Sequence, residues 1–261
     1  MLRTISRHSN RSIKGAILDY TLIVGAAGEG LRLQEVSQEI SKPLTLVAGR
    51  PILGWALSSL EENPPGRAVI VATSESLPAA QELAALELPD TDIVGVVQPS
   101  PLGTLDALRS GLSAIVAEAS ETTVAFLHGD NIPPEGLIDL GMAALDQRGA
   151  TFFSRRTRNP GSSAKLVRES GGRPVALTDA EPWAAESEVE IIGGLFFYGP
   201  WIWERFGGDQ PAREGETEIN SFNDELLRAG LANVVSVEGT WLHINTPSDF
   251  EEAESVLLAE R

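Results

Sequence analysis

The chain has 261 residues, no cysteine, 42% hydrophobic residues and a formal net charge of −17. Length and apolar content suit one large globular domain. The lack of thiols excludes disulfides, cysteine nucleophiles and thiolate-bound metals, and the strong acidity speaks against a general nucleic-acid binder.

Residues 1–18 hold Arg3, Arg7, Arg11 and Lys14 and no acid. This segment is expected to be a flexible basic arm. It is Ser- and Arg-rich, as transit peptides are, but has no apolar stretch of secretory length. No run approaches the roughly 20 apolar residues of a membrane span. The expected location is cytoplasmic, with no membrane partner. Residues 19–261 read as a single domain, divided near residue 150 where the rhythm of the sequence changes.

Strands are expected at 20–24 (YTLIV), 68–73 (AVIVAT), 92–97 (DIVGVV) and 123–127 (TVAFL). Helical patterns lie between them at 51–62, 77–86 and 103–119. In the last, Leu105, Leu108, Leu112 and Ile115 share one face. Continuously apolar strands alternating with helices imply parallel strands covered on both faces. After residue 150 the strand-like stretches ATFFSRR, AKLVRE and RPVALTD follow closely, with a turn at SGGR. VEIIGGLFFYG is a further strand whose glycine pair suggests a bulge or a close approach. A helix near 218–229, the strand NVVSV and a helix from about 247 complete the chain. The expected fold is a Rossmann-like three-layer αβα sandwich. Its sheet is mixed and mostly parallel, with antiparallel strands added in the second half. Ligands of such sheets bind at the carboxyl ends of the strands.

The first strand runs into VGAAGEGLRL (24–33), a glycine-rich loop at such an end. It is not the dinucleotide fingerprint, whose glycine order differs, nor a P-loop, which closes with Gly-Lys-Ser/Thr. AGEGLRL is followed ten residues after Arg32 by Lys42-Pro43, in a chain with only three lysines. This opening resembles that of the sugar nucleotidyltransferases, G-G-x-G-T-R-L, nine residues, then Lys. The resemblance continues in order through AGRPILGWALSSL, QPSPLG (98–103), GDN (129–131), GGLFFYGP, GETEINSFNDELLRAG and TWLHINTPSDFEEA. It covers about residues 20–258. QPSPLG is similar to the thymidylyltransferase form of the base-binding segment.

The resemblance implies nucleotidyl transfer from a nucleoside triphosphate, dTTP or UTP first, to a sugar 1-phosphate or sugar-like phosphate. Pyrophosphate would leave. It implies Arg32, Lys42 and Asp130 as catalytic residues, and Ala27, Gly28, Glu29, Gly30, Gln98 and Gly103 around the nucleotide. The acceptor would meet Lys165, Glu181 and Gly194. Mg²⁺ or another divalent ion such as Mn²⁺ would be held by Asp130 with His243, and the protein would form a homodimer or homotetramer. The residue types suit these roles. Glycines admit phosphate close to backbone N–H groups, arginine offers forked donors, and a carboxylate suits Mg²⁺.

Four positions depart from the family pattern. Leu31 stands for a threonine, and Ala164-Lys165 for a sugar-binding Tyr-Gly. Glu181 stands for a lysine that binds the sugar phosphate, and His243 for a second metal-binding aspartate. A carboxylate cannot replace a cation beside phosphate, so either Lys165 supplies the charge from the neighbouring strand or no sugar phosphate binds as the family binds it. Imidazole suits transition metals better than Mg²⁺, which opens a His128–Asp130–His243 metal site as a further expectation. These departures also support a rival reading, a catalytically weak homologue that binds nucleotide or nucleotide sugar as a regulatory or partner subunit.

Overall fold

The computed structural model describes residues 19–28, 41–98, 102–119, 121–146, 149–158, 160, 163–178, 188–206 and 218–259. The expected arm, Glu29, Gly30, Leu31, Arg32 and Glu181 lie outside the described residues.

The parallel heart of the sheet is built from β1 (Tyr20–Gly25), β4 (Arg67–Ala72), β5 (Asp92–Val97) and β6 (Thr123–His128). β1 lies between β4 and β6, and β5 forms the outer edge beyond β4. The second half adds β8 (Ala150–Thr157), β9 (Lys165–Arg168), β10 (Pro174–Thr178), β11 (Val189–Tyr198) and β12 (Ala232–Ser236). β11 runs antiparallel to β6, β8 and β9, while β12 is parallel to β8. The antiparallel strands thus extend one nine-stranded sheet instead of capping its end.

Alternate residues of the strands enter two separate cores, as continuous apolar runs require. Ile23, Val71, Phe126 and Phe196 pack on one face with α3 (Thr104–Ala119), α5 (Trp201–Phe206) and α6 (Ile219–Arg228). Leu22, Val24, Ile70 and Leu127 pack on the other with α1 (Ile52–Ser58), α2 (Leu77–Glu87) and α4 (Leu137–Ala144). This is the expected three-layer sandwich. The four leucine and isoleucine positions assigned to one face of α3 are all buried in the first core.

Several details differ from the sequence reading. The helix expected over 51–62 stops at Ser58. α4 and α5 had no assigned pattern, and neither did the hairpin of β2 (Leu46–Val47) and β3 (Arg50–Pro51). Its two-residue turn takes Ala48 and Gly49 to φ values of 47° and 76°, the left-handed geometry of a tight hairpin. Isolated pairs of strand residues carry too little periodicity to be read. A last small ladder joins β7 (Asn131–Ile132) to β13 (Leu242–His243), followed by α7 (Pro247–Ala259). The glycine pair of β11 does mark a register shift, between Ile192 and Phe196.

Candidate active site

The carboxyl ends of β1, β5 and β6 open onto a cavity of about 140 Å³. Its lining includes Gly25, Ala27, Gly28, Lys42, Gln98, Gly103, His128 and Asp130. Six of the expected site residues therefore meet in one place: Ala27, Gly28, Lys42, Gln98, Gly103 and Asp130. Backbone geometry creates the close approach. A Cβ at Gly129 would lie 2.9 Å from the Gly25 carbonyl, which accepts from Gly129 N at 2.9 Å. The Gly28 carbonyl likewise accepts from Lys42 N at 3.1 Å, tying the glycine loop to the Lys-Pro turn.

Gln98 is buried, and Nε2 donates to the Gly103 carbonyl at 3.3 Å and to Asp106 Oδ2 at 2.9 Å. Both amide hydrogens are engaged, so the amide can offer the cavity only its Oε1 as an acceptor.

Lys42 is buried, and its ammonium donates to Asp130 Oδ2 at 2.5 Å and to Asn245 Oδ1 at 2.5 Å. Asp130 Oδ1 accepts from Asn131 Nδ2 at 2.7 Å, and Asn131 Oδ1 accepts from Trp241 Nε1 at 3.1 Å. Burial alone would raise the Asp130 carboxyl. The Lys42 ammonium outweighs this and, with the nearby histidines, holds it well below the usual carboxylate range. The Lys42 ammonium thus favours the ionised form of Asp130.

The β7–β13 ladder brings His243 beside Asn131 in register. His243 Nδ1 lies 2.9 Å from Ser163 Oγ and Nε2 lies 2.8 Å from Asn245 Nδ2. Burial pushes its imidazole below the ordinary value. His128 stands edge-on to Phe126 and Phe196, and burial lowers it to about 4. Its Nε2 has no hydrogen-bond partner among the described residues. Among the described residues no group of three or more histidines and carboxylates is arranged to hold a metal. The His128–Asp130–His243 site is thus not formed.

A second cavity of about 270 Å³ is lined in part by His243. Arg155, Thr157, Ser163, Thr240, Asn245 and Glu252 contribute its polar lining. Arg155 projects from β8, and Glu252 acts on it electrostatically. The sequence reading missed Arg155, because one arginine in a strand pattern carries no signal of its own. Lys165 opens β9 in register with Thr178 and Ile191, and is not among the residues lining either cavity. Gly194 is approached by protein: a Cβ there would lie 2.5 Å from Asn131 Cγ. Its lack of a side chain makes room for the asparagine that supports Asp130.

A parallel sheet with a lysine–aspartate pair in the cleft at its strand ends, continued by antiparallel strands, defines a nucleotidyltransferase architecture. The model of the nucleotidyl transferase family matches residues 21–260, and the chain belongs to that family. It is 30% identical over 250 residues to the glucose-1-phosphate thymidylyltransferase of Mycobacterium tuberculosis, covering 92% of this chain and 83% of the relative. It is 26% identical over 243 residues to the low-salt glycan biosynthesis nucleotidyltransferase Agl11 of Haloferax volcanii. That match covers 90% of this chain but spans only 65% of the relative's length. In fold it is similar to a structure from Bacillus anthracis described as a glucose-1-phosphate thymidylyltransferase in complex with sucrose. The TM-score is 0.75 at 18% identity, with 91% and 94% of the two chains covered. No helix among the described residues is long and apolar enough to cross a membrane.

Proposed function

We propose that the protein transfers a nucleotidyl group from dTTP or UTP to a sugar 1-phosphate or a related sugar phosphate. The observation that carries this reading is the buried Lys42–Asp130 pair in the cavity at the strand ends. The acceptor's phosphate oxygen attacks the α-phosphorus in line, the bond to the bridging oxygen breaks, and pyrophosphate leaves. Lys42 neutralises charge that builds on the α-phosphate, and the backbone at Ala27 and Gly28 lies against the phosphate chain. Arg32, Glu29 and Gly30 complete this loop in the reading drawn from the family resemblance.

Base choice follows from Gln98. With only an acceptor to offer, it suits a base edge carrying an imide N–H, as thymine and uracil do. Gly103, at φ 95°, turns the chain so that no side chain covers the base position.

A divalent ion fits Asp130. The carboxylate gives one lone pair each to Lys42 and Asn131, and about two of its four remain. That matches an ion held jointly by one carboxylate and substrate phosphates, which when bound would withdraw charge from the departing pyrophosphate. His243 does not fit, since both ring nitrogens are hydrogen-bonded.

The acceptor occupies the larger cavity, whose hydroxyls suit a polyhydroxyl ring. Asp249 is engaged with the N-terminus of α7, where Oδ2 accepts from Asn245 N and Thr246 N, both at 2.9 Å. Among the described residues that line this cavity, Arg155 is the one Lys or Arg.

The replaced carboxylate at 243 favours the rival reading, a homologue that binds nucleotide without turning it over. Pyrophosphate release, measured over a panel of triphosphates and sugar 1-phosphates with Mg²⁺, separates the two. Turnover with dTTP or UTP supports transfer. Tight calorimetric binding of dTTP without release from any pair supports the rival.

A further inference from the structure

The geometry points to Asn245 as a positioning residue that fixes the Lys42 ammonium against Asp130 and the His243 ring in a single tautomer. The argument is one of donors and acceptors. An ammonium can only donate, so the Asn245 atom 2.5 Å from Lys42 Nζ must be the carbonyl oxygen. The amide nitrogen is thereby turned to His243 Nε2 at 2.8 Å. An amide nitrogen can also only donate, so Nε2 must present its lone pair. The single proton of the neutral ring then sits on Nδ1, where Ser163 Oγ accepts it across 2.9 Å.

Asn131 obeys the same logic from the other side. Trp241 Nε1 can only donate, so it faces Oδ1 of Asn131, and Nδ2 is left to donate to Asp130. The hydrogen bonds therefore run in one consistent sense, from Trp241 through Asn131 to Asp130, and from Lys42 through Asn245 and His243 to Ser163. Neither amide can flip without setting two donors or two acceptors face to face, which buried groups avoid. The Asn245 backbone is itself held by Asp249 at the start of α7.

Two consequences follow. Lys42, at the end of a flexible four-carbon stem, is aimed by an oxygen on each side instead of by Asp130 alone. His243 has its basic nitrogen occupied by Asn245, so it carries no metal in this arrangement. The pair His243 and Asn245 then acts as a hydrogen-bonded support at a position where the family pattern has an aspartate.

This inference rests on the proposed role of Lys42 only for its kinetic part, and its test is built to separate the two. The chain has three histidines, His8, His128 and His243, so ¹⁵N-imidazole NMR with a His243→Gln variant for assignment reads the ring directly. Wild type is expected to show His243 as the neutral Nδ1–H tautomer. Asn245→Ala should release Nε2 and give a mixture of tautomers. Asn245→Asp, nearly isosteric and able to keep the fold, should draw the proton to Nε2. A wild-type Nε2–H tautomer, or no change in either variant, overturns the inference whatever the activity.

The second readout uses dTTP and glucose 1-phosphate. Asn245→Ala should lower kcat by about 10- to 100-fold, the scale of one lost charged hydrogen bond, with the acceptor KM changed less than about threefold. Asn245→Asp, which still accepts from Lys42, should recover part of the rate. An unchanged kcat in Asn245→Ala overturns the positioning of Lys42. If wild type turns over no substrate pair, the proposed function fails instead. The dTTP affinity by calorimetry then replaces kcat, and an Asn245→Ala variant that binds dTTP as wild type does overturns the positioning role.

Discussion

The two cavities are made in different ways. The smaller is built largely from backbone: Gly25, Gly28 and Gly103, a buried glutamine pinned by its own loop, and one ion pair. The larger is built from side chains on separate strands and a helix, with Arg155, Ser163, His243 and Glu252 brought together by tertiary packing alone. A backbone cradle is specified by a few glycines and tolerates little change. A cavity of side chains can be rewritten one residue at a time. Of the family departures described above, His243 lines the larger cavity, while Lys42, Gln98 and Asp130 are kept at the smaller one.

The sharpest way to break this contrast is at the ion pair. Lys42→Ala should lower turnover by about 10³-fold, the scale of removing one preorganised charge stabiliser. It should also lower the melting temperature, since a partly buried Asp130 is left without its cation. Thermal melts run beside the activity assay check both. A variant that retains wild-type turnover would remove Lys42 from the mechanism.

The acceptor side should respond differently. Arg155→Ala should raise the KM for the sugar phosphate by about 10- to 100-fold, as expected for one lost charged hydrogen bond. The affinity for dTTP, measured by calorimetry, should stay within about twofold. Equal losses on both ligands would show that the two cavities are not independent.

A control within the acceptor-side framework distinguishes local chemistry from loss of fold. Glu190 accepts from Arg168 Nε and Nη2 and from the hydroxyls of Ser154 and Ser236, joining β8, β9, β11 and β12. Its carboxyl is held down at about 2, chiefly by the hydrogen bonds from Arg168. A depressed carboxyl stabilises the fold above its ordinary value and loses that contribution as pH falls through the folded one. Glu190→Gln should therefore cost about 1–2 kcal/mol at neutral pH, allowing for solvent screening. Its stability gap to wild type should close between about pH 4.5 and 2. Denaturant melts across that range test the sign, and a gap that widens on acidification would contradict it.

The smallest effect concerns the base. Gln98→Ala should weaken dTTP and UTP by about fivefold, the worth of one neutral hydrogen bond, and leave weak binding of CTP and ATP unchanged. A uniform loss across all four would mean that Gln98 supports the loop without reading the base.

These regions also differed in how far the sequence revealed them. The sheet, its three layers and the α3 core face follow from apolar periodicity, which each strand and helix carries locally. Lys42, Gln98 and Asp130 were found because their motifs sit at strand ends in a fixed order. Asn245 was not, because its partner Lys42 is 203 residues away and nothing in WLHINT marks its amide as functional. Arg155 was missed for a like reason, since only the tertiary fold brings residues of β8, β13 and α7 around one cavity.

The central claim, that the smaller cavity holds the triphosphate while the larger presents a phosphorylated acceptor to it, is tested most directly by following oxygen through the reaction. Glucose 1-phosphate labelled with ¹⁸O on its non-bridging phosphate oxygens is mixed with unlabelled dTTP, Mg²⁺ and the enzyme, and the products are read by ³¹P NMR and mass spectrometry. The account predicts a nucleoside diphosphate sugar that retains the label, one labelled oxygen bridging its two phosphorus atoms, with unlabelled pyrophosphate released. Hydrolysis of dTTP with all the label left in glucose 1-phosphate, or no reaction despite bound dTTP, would contradict it.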